Sequence, residues 1–128
     1  MVPFSTVVGC GGMRVLAFED SFDIVAILTS AGVDMSVIDL KQHWESSNHS
    51  SRIAEYEPEI LLLDHYMPPV TGLEVLQTLN IDVAAGAERP RLVIAMSSDS
   101  RMNARLIQFG ADIAVRKFDI GTIDIWPR

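Results

Sequence analysis

Acids stand directly behind two apolar runs in this chain. Asp64 follows Ile60-Leu61-Leu62-Leu63, and Glu19-Asp20 follows Val15-Leu16-Ala17-Phe18. A short apolar run without alternation fits a strand covered on both faces, as in a parallel sheet, or a piece of buried helix. Pro68 and Pro69 bar a helix from continuing past residue 67, so Asp64 is expected where a buried strand emerges. Ligands of open parallel α/β sheets bind beyond the carboxyl ends of the strands. If the two acid-bearing strands are neighbours, Glu19, Asp20 and Asp64 share one crevice. Like charges that close raise one another's pKa or hold a cation. Their hard oxygens suit Mg²⁺, and a divalent ion beside a carboxylate nucleophile suits phosphoryl transfer. Two further strand ends offer the Ser97 hydroxyl and the Lys117 ammonium, both able to bind phosphoryl oxygens. Plainer readings exist for each residue. Asp64 can be a turn acid, Glu19-Asp20 a favourable helix start, Ser97 a turn hydroxyl and Lys117 a solvated charge.

The elements that must position these groups alternate. Strands are expected over residues 14–18, 35–40 (an edge), 60–63, 92–96 and 113–115. Helices are expected over 22–30, capped by Asp20 or Ser21, over 51–56, from Thr71-Gly72 onward, and over 100–109, capped by Asp99 and ended by Gly110. Residues 41–51 read as a polar surface loop. Residues 82–90 read as turn-rich, and Ile123-Asp124-Ile125 alternates like a strand. Strands alternating with helices predict a βα-repeating parallel sheet. Met67 reads as packing and Gly72 as permitting a tight helix start. His65 and His43 read as surface histidines, and Trp44 and Trp126 as packing or interface residues.

The totals bound the function. At 128 residues the chain is expected to form one domain over 13–128, preceded by a flexible leader over 1–12 that ends in Gly9-Cys10-Gly11-Gly12. The formal charge of −7 disfavours direct binding to nucleic acid. No apolar run approaches the ~20 residues that span a membrane. The single Cys10 suits a reducing, cytoplasmic setting.

Taken together, these residues resemble the receiver domain of two-component response regulators, over about 14–117. The family's Asp-x-x-Met-Pro-x-x-x-Gly pattern is met by Asp64, Met67, Pro68 and Gly72. Its acidic pair is matched by Glu19-Asp20, its strand-ending Ser/Thr by Ser97, and its Gly-Ala-Asp followed by Lys by Gly110, Ala111, Asp112 and Lys117. The resemblance implies a flavodoxin-like, doubly wound five-stranded parallel sheet of order 2-1-3-4-5. It implies Asp64 as the acceptor of a phosphoryl group from a phosphohistidine of a sensor histidine kinase or phosphotransfer protein. Mg²⁺ would be held by Asp20, Asp64 and the backbone carbonyl of Tyr66, with Glu19 acting through water. Ser97 and Lys117 would hold the phosphoryl oxygens. Tyr66 and Asp99 fall where family members tune the lifetime of the phosphoryl group, and Tyr66 is expected to restrict water. The output would be a switch in binding to a downstream effector protein. The domain's own catalysis would be limited to self-phosphorylation and self-dephosphorylation.

Three departures stand out. Phe118 follows Lys117 where the family has proline. Ala114 occupies the place of the family's aromatic switch residue. The closing helix is expected to be short or absent, which would expose apolar area and make the C-terminal face a candidate homodimer surface. These departures motivate a second reading, a pseudo-receiver acting as a phosphorylation-independent interaction module. A phosphohydrolase is disfavoured because Tyr66 stands where such enzymes carry a second acid. A flavin binder is disfavoured because no Ser/Thr/Gly-rich loop follows the first strand.

Overall fold

The computed structural model describes residues 12–128. The expected leader over 1–12 therefore lies, but for Gly12, outside the described residues. In chain order the elements are β1 (Met13–Phe18), α1 (Ile24–Ser30), β2 (Ile38–His43), α2 (His49–Tyr56), β3 (Ile60–Leu63), α3 (Gly72–Ala84), β4 (Leu92–Ala95), α4 (Ser100–Gln108) and β5 (Ile113–Ala114). All strand pairs are parallel, and the sheet runs β2-β1-β3-β4-β5. This is the doubly wound, flavodoxin-like arrangement expected.

β3 explains why the apolar runs do not alternate. All 4 of its residues are fully buried, but they serve two different cores. Leu61 and Leu63 join Leu16, Phe18 and Val93 beneath α2, α3 and α4. Ile60 and Leu62 join Val15, Ala17 and Ile94 beneath α1. With successive side chains on opposite faces, a strand covered twice must be apolar at every position. Burying each such side chain contributes about 1.5–3 kcal/mol.

Several expected boundaries move. Asp23, not Asp20 or Ser21, caps α1, its Oδ1 accepting from Val25 N at 3.0 Å. The helix therefore starts later, and residues 19–23 form a separate loop. The second strand covers Ile38–His43 rather than 35–40. Asp34 caps a single 3-10 turn over Met35–Val37, and β1 then pairs in register from Met13↔Ile38 to Phe18↔His43. Polar Lys41, Gln42 and His43 looked like loop because an edge strand buries little. α2 opens earlier, at His49, and α3 continues to Ala84 through residues expected to be turn. Gly110, at φ +112°, ends the α4 segment as expected.

After β5 comes a 3-10 turn, Lys117–Thr122, and among the described residues no further helix. Ile123-Asp124-Ile125 is not a strand; Ile125 N donates to Ile123 O at 3.0 Å in a local turn. The sheet face expected to lie bare is covered. Ile120 and Trp126 pack into the α1-side core. Trp126 Nε1 donates to Ile120 O at 2.7 Å, and Arg128 donates to Ala31 O and Gly121 O at 2.9 and 2.6 Å. A Cβ on Gly121 would overlap that of Ala31, so only glycine lets the tail lie this close to α1. Ile120 and Trp126 thus cover part of the apolar area that the homodimer expectation took to be bare, while Phe22, Val25 and Phe118 stay exposed. No helix among the described residues is long and apolar enough to cross a membrane.

Candidate functional site

Register brings the acids together. β1 and β3 pair with Phe18 opposite Leu63, and Asp64 N donates to Phe18 O at 3.1 Å. The next residues, Glu19 and Asp64, therefore leave the sheet side by side. Glu19, Asp20 and Asp64 each present a carboxylate oxygen within 4.8 Å of the others. A pocket of about 430 Å³ opens there, lined by Asp20, Ser21, Asp64, Tyr66, Ser97, Ser98, Asp99 and Lys117. Every residue expected at the site lines this pocket except Glu19, which lies fully buried beside it.

Local bonds decide which acid does what. Glu19 Oε2 accepts from Ser21 N and Phe22 N at 2.9 and 3.1 Å. That carboxylate closes the 19–23 loop, while Asp20 is left partly exposed at the pocket. Glu19 Oε1 accepts no well-aligned hydrogen bond, but the Lys117 ammonium lies 3.0 Å away. The same Nζ is 3.7 Å from Asp64 Oδ2. Lys117 is only 6% exposed, so its charge is held by this pairing rather than by solvent. Burial, reinforced by the charge of Glu19, pushes the Asp64 carboxyl up to about 6, with Lys117 opposing the shift. Three carboxylates gathered around one ammonium leave an excess of negative charge, which fits a hard divalent cation held by the acids.

Ser97 arrives at the end of β4, where Met96 N donates to Leu63 O at 3.0 Å. It is buried, and its Oγ accepts from Asp99 N at 3.0 Å. Asp99 caps α4 through Oδ1 and accepts the Tyr66 hydroxyl on Oδ2 at 2.8 Å. That bond holds the Asp99 carboxyl below the usual carboxylate range and the Tyr66 phenol above its own.

Gly72 is required for close approach. A Cβ there would overlap the Asp64 carbonyl, and Gly72 N donates to His65 O at 2.8 Å. Met67 is buried packing, as expected. His65 is not a surface residue. It is buried, packs edge-on against Tyr66 with ring centroids 4.7 Å apart, and burial lowers its pKa. His43 is half-buried and stacks on Phe18.

Sequence reasoning missed three supports. Gln42 Nε2 donates to Glu19 O and Phe22 O, both at 2.9 Å, and its Oε1 accepts from Ile24 N, also at 2.9 Å. Buried Ser46 accepts from Val70 N at 3.0 Å, and its own N donates to Pro68 O at 2.8 Å, fixing the loop after Asp64. Buried Asn103 accepts from Ser97 N at 2.9 Å and donates to Ser97 O and Val115 O at 2.9 and 3.1 Å. These residues sit in polar or amphipathic stretches and act through long-range backbone bonds, which leave no periodic trace.

A larger cleft, of about 730 Å³, lies at the opposite end of the sheet between α2 and α3. There Arg89 pairs with Asp112 and Arg14 Nε donates to Glu57 O. The only metal-type cluster among the described residues is Glu19, Asp20 and Asp64.

No protein-family model matches the chain, and no curated protein matches it. Solved structures do. The response regulator domain of Thermotoga maritima CheB is 21% identical with a TM-score of 0.64, covering 89% of this chain and 84% of that one. The phosphorylated cyanobacterial phytochrome response regulator RcpA is 16% identical with a TM-score of 0.67, covering 87% and 89%. The Thermotoga maritima response regulator TrrA, in complex with Mg²⁺-BeF, is 19% identical with a TM-score of 0.63, covering 81% and 85%. This chain shares the receiver fold with them.

Proposed function

We propose that residues 13–128 form a phospho-accepting receiver domain of a two-component phosphorelay. Asp64 takes a phosphoryl group from a phosphohistidine of a sensor kinase or phosphotransfer protein, and the product switches binding to an effector. One observation carries this reading: a single pocket brings Asp64 and Asp20 together with the buried ammonium of Lys117 and the hydroxyl of Ser97. The fold shared with TrrA, solved as a Mg²⁺-BeF complex, supports it further.

In the transfer, a carboxylate oxygen of Asp64 attacks phosphorus, an O–P bond forms, and the donor's N–P bond breaks with the electron pair returning to imidazole. Asp20, Asp64 and the Tyr66 carbonyl, with Glu19 beside them, would hold Mg²⁺, whose charge offsets that on the transferring group. Lys117 meets one phosphoryl oxygen as a charge-assisted donor. Ser97 meets another once its hydroxyl turns to donate. With Ala114 at the aromatic-switch position, the change leaves Ser97 through Asn103 and the Asp99 turn rather than through an aromatic side chain. Catalysis is confined to self-phosphorylation and slow self-hydrolysis, in keeping with a cytoplasmic signalling domain.

Acetyl phosphate with Mg²⁺ should add one phosphoryl mass to the protein and none to Asp64→Asn. A protein that takes up no phosphoryl group from any donor and does not bind Mg²⁺ is instead a phosphorylation-independent interaction module.

A further inference from the structure

Lys117 faces the carboxylates without a proline behind it. We propose that Phe22 and Phe118 are positioning residues for Lys117: the face of Phe22 restrains the ammonium at the pocket, and Phe118 holds that ring in place. This rests on the phosphoryl-acceptor reading above.

Lys117 Nζ lies 5.2 Å from the Phe22 ring centroid, within the ~6 Å over which a cation is attracted to a ring face. Phe118 meets Phe22 edge-on, with centroids 4.9 Å apart and planes at 79°, a favoured aromatic geometry. Phe22 is also fixed through its backbone. Its N–H donates to Glu19 Oε2 at 3.1 Å, and its carbonyl accepts from Gln42 Nε2 at 2.9 Å. Glu19 thus anchors the ring on one oxygen and pairs with the ammonium on the other, at 3.0 Å.

Neither ring serves the interior. Phe22 is 45% exposed and Phe118 59% exposed, and both stand outside the two cores. Two large aromatics kept at the surface beside the pocket's lysine are accounted for by the lysine. A lysine stem is flexible, and its ammonium must choose between Glu19, Asp64 and a transferring oxygen. A ring face limits sideways excursion without neutralising the charge or consuming an N–H donor. A further carboxylate would do both.

The test uses the full chain, with acetyl phosphate as donor and saturating Mg²⁺. Phe22→Leu should slow acyl-phosphate formation about fivefold, which is about 1 kcal/mol at 1.36 kcal/mol per tenfold. Phe22→Trp should restore it, and successive fluorination of Phe22 should lower it in steps. Mg²⁺ affinity should stay within about twofold, since the ring acts on the lysine and not on the carboxylates. In a Lys117→Met background, Phe22→Leu should add nothing. Phe118→Leu should give a smaller loss that vanishes in the same background. A wild-type rate for Phe22→Leu, or an equal loss with and without Lys117, overturns the proposal. If the unaltered protein takes up no phosphoryl group, the acceptor reading fails instead. The positioning claim is then decided by the Lys117 Hε protons, whose upfield ring-current shift must be present in the unaltered protein and absent in Phe22→Leu.

Discussion

The Tyr66 hydroxyl donates to Asp99 Oδ2 across 2.8 Å, joining the loop after β3 to the N-terminus of α4 over the mouth of the carboxylate pocket. Asp99 spends its other oxygen on the first turn of α4, and Tyr66 leans edge-on against buried His65. The strap is therefore supported at both ends, though Tyr66 itself is 56% exposed.

Loss of this strap should shorten the life of a phosphoryl group on Asp64. Tyr66→Ala opens the mouth to water and is expected to speed dephosphorylation about tenfold, the equivalent of about 1.4 kcal/mol. Tyr66→Phe keeps the ring and loses only the hydrogen bond to Asp99, and should fall between. Decay of the phosphorylated mass with time measures both. Unchanged decay in Tyr66→Ala removes the role in shielding.

The raised carboxyl of Asp64 has a signature in stability. Its folded pKa is about 6 against an ordinary 3.8, because burial and then Glu19 disfavour the charge. Between those values the folded state holds more protons than the unfolded one, so stability falls as pH rises from about 4 to about 6 and then levels off. Asp64→Asn escapes this loss. Without divalent ion it should gain about 2 kcal/mol on the unaltered protein between pH 4 and pH 7.5, less than 1.36 per pH unit allows because solvent at the pocket mouth screens part of the effect. Urea melts at the two pH values give the difference. A constant gap would mean that Asp64 titrates in the usual range.

Gly72 offers a purely steric prediction. A Cβ there overlaps the Asp64 carbonyl, and backbone rather than a flexible side chain is what it meets. Gly72→Ala should cost about 2–4 kcal/mol and also weaken Mg²⁺ binding, because the displaced backbone belongs to Asp64 itself. Thermal melts and a Mg²⁺ titration read the two effects. Full stability in the variant would mean that the loop has room to move.

Much of the site was legible because parallel strands covered on both faces need unbroken apolar runs. The runs ending at Phe18 and Leu63 therefore marked where Glu19, Asp20 and Asp64 must emerge. The Asp64, Met67, Pro68 and Gly72 spacing identified the loop between β3 and α3 for a local reason, since a turn this tight tolerates few residues. Edge strand β2 and the start of α1 were misread. Lys41, Gln42 and His43 are polar and none is fully buried, so β2 carries no apolar run at its end, and Asp20, Ser21 and Asp23 all had the chemistry of a helix cap.

What the linear order determined is the kind of group at each strand end: acids after two strands, a hydroxyl after a third, an ammonium after a fourth. Which of them meet was settled only by pairing β1 with β3 and by the long-range bonds of Gln42, Ser46 and Asn103. The same holds for the tail, where Ile120 and Trp126 cover a face that the missing helix suggested was open. Apolar periodicity records which side of an element avoids water. The partner that shields it can come from any distance along the chain, and only the folded packing selects it.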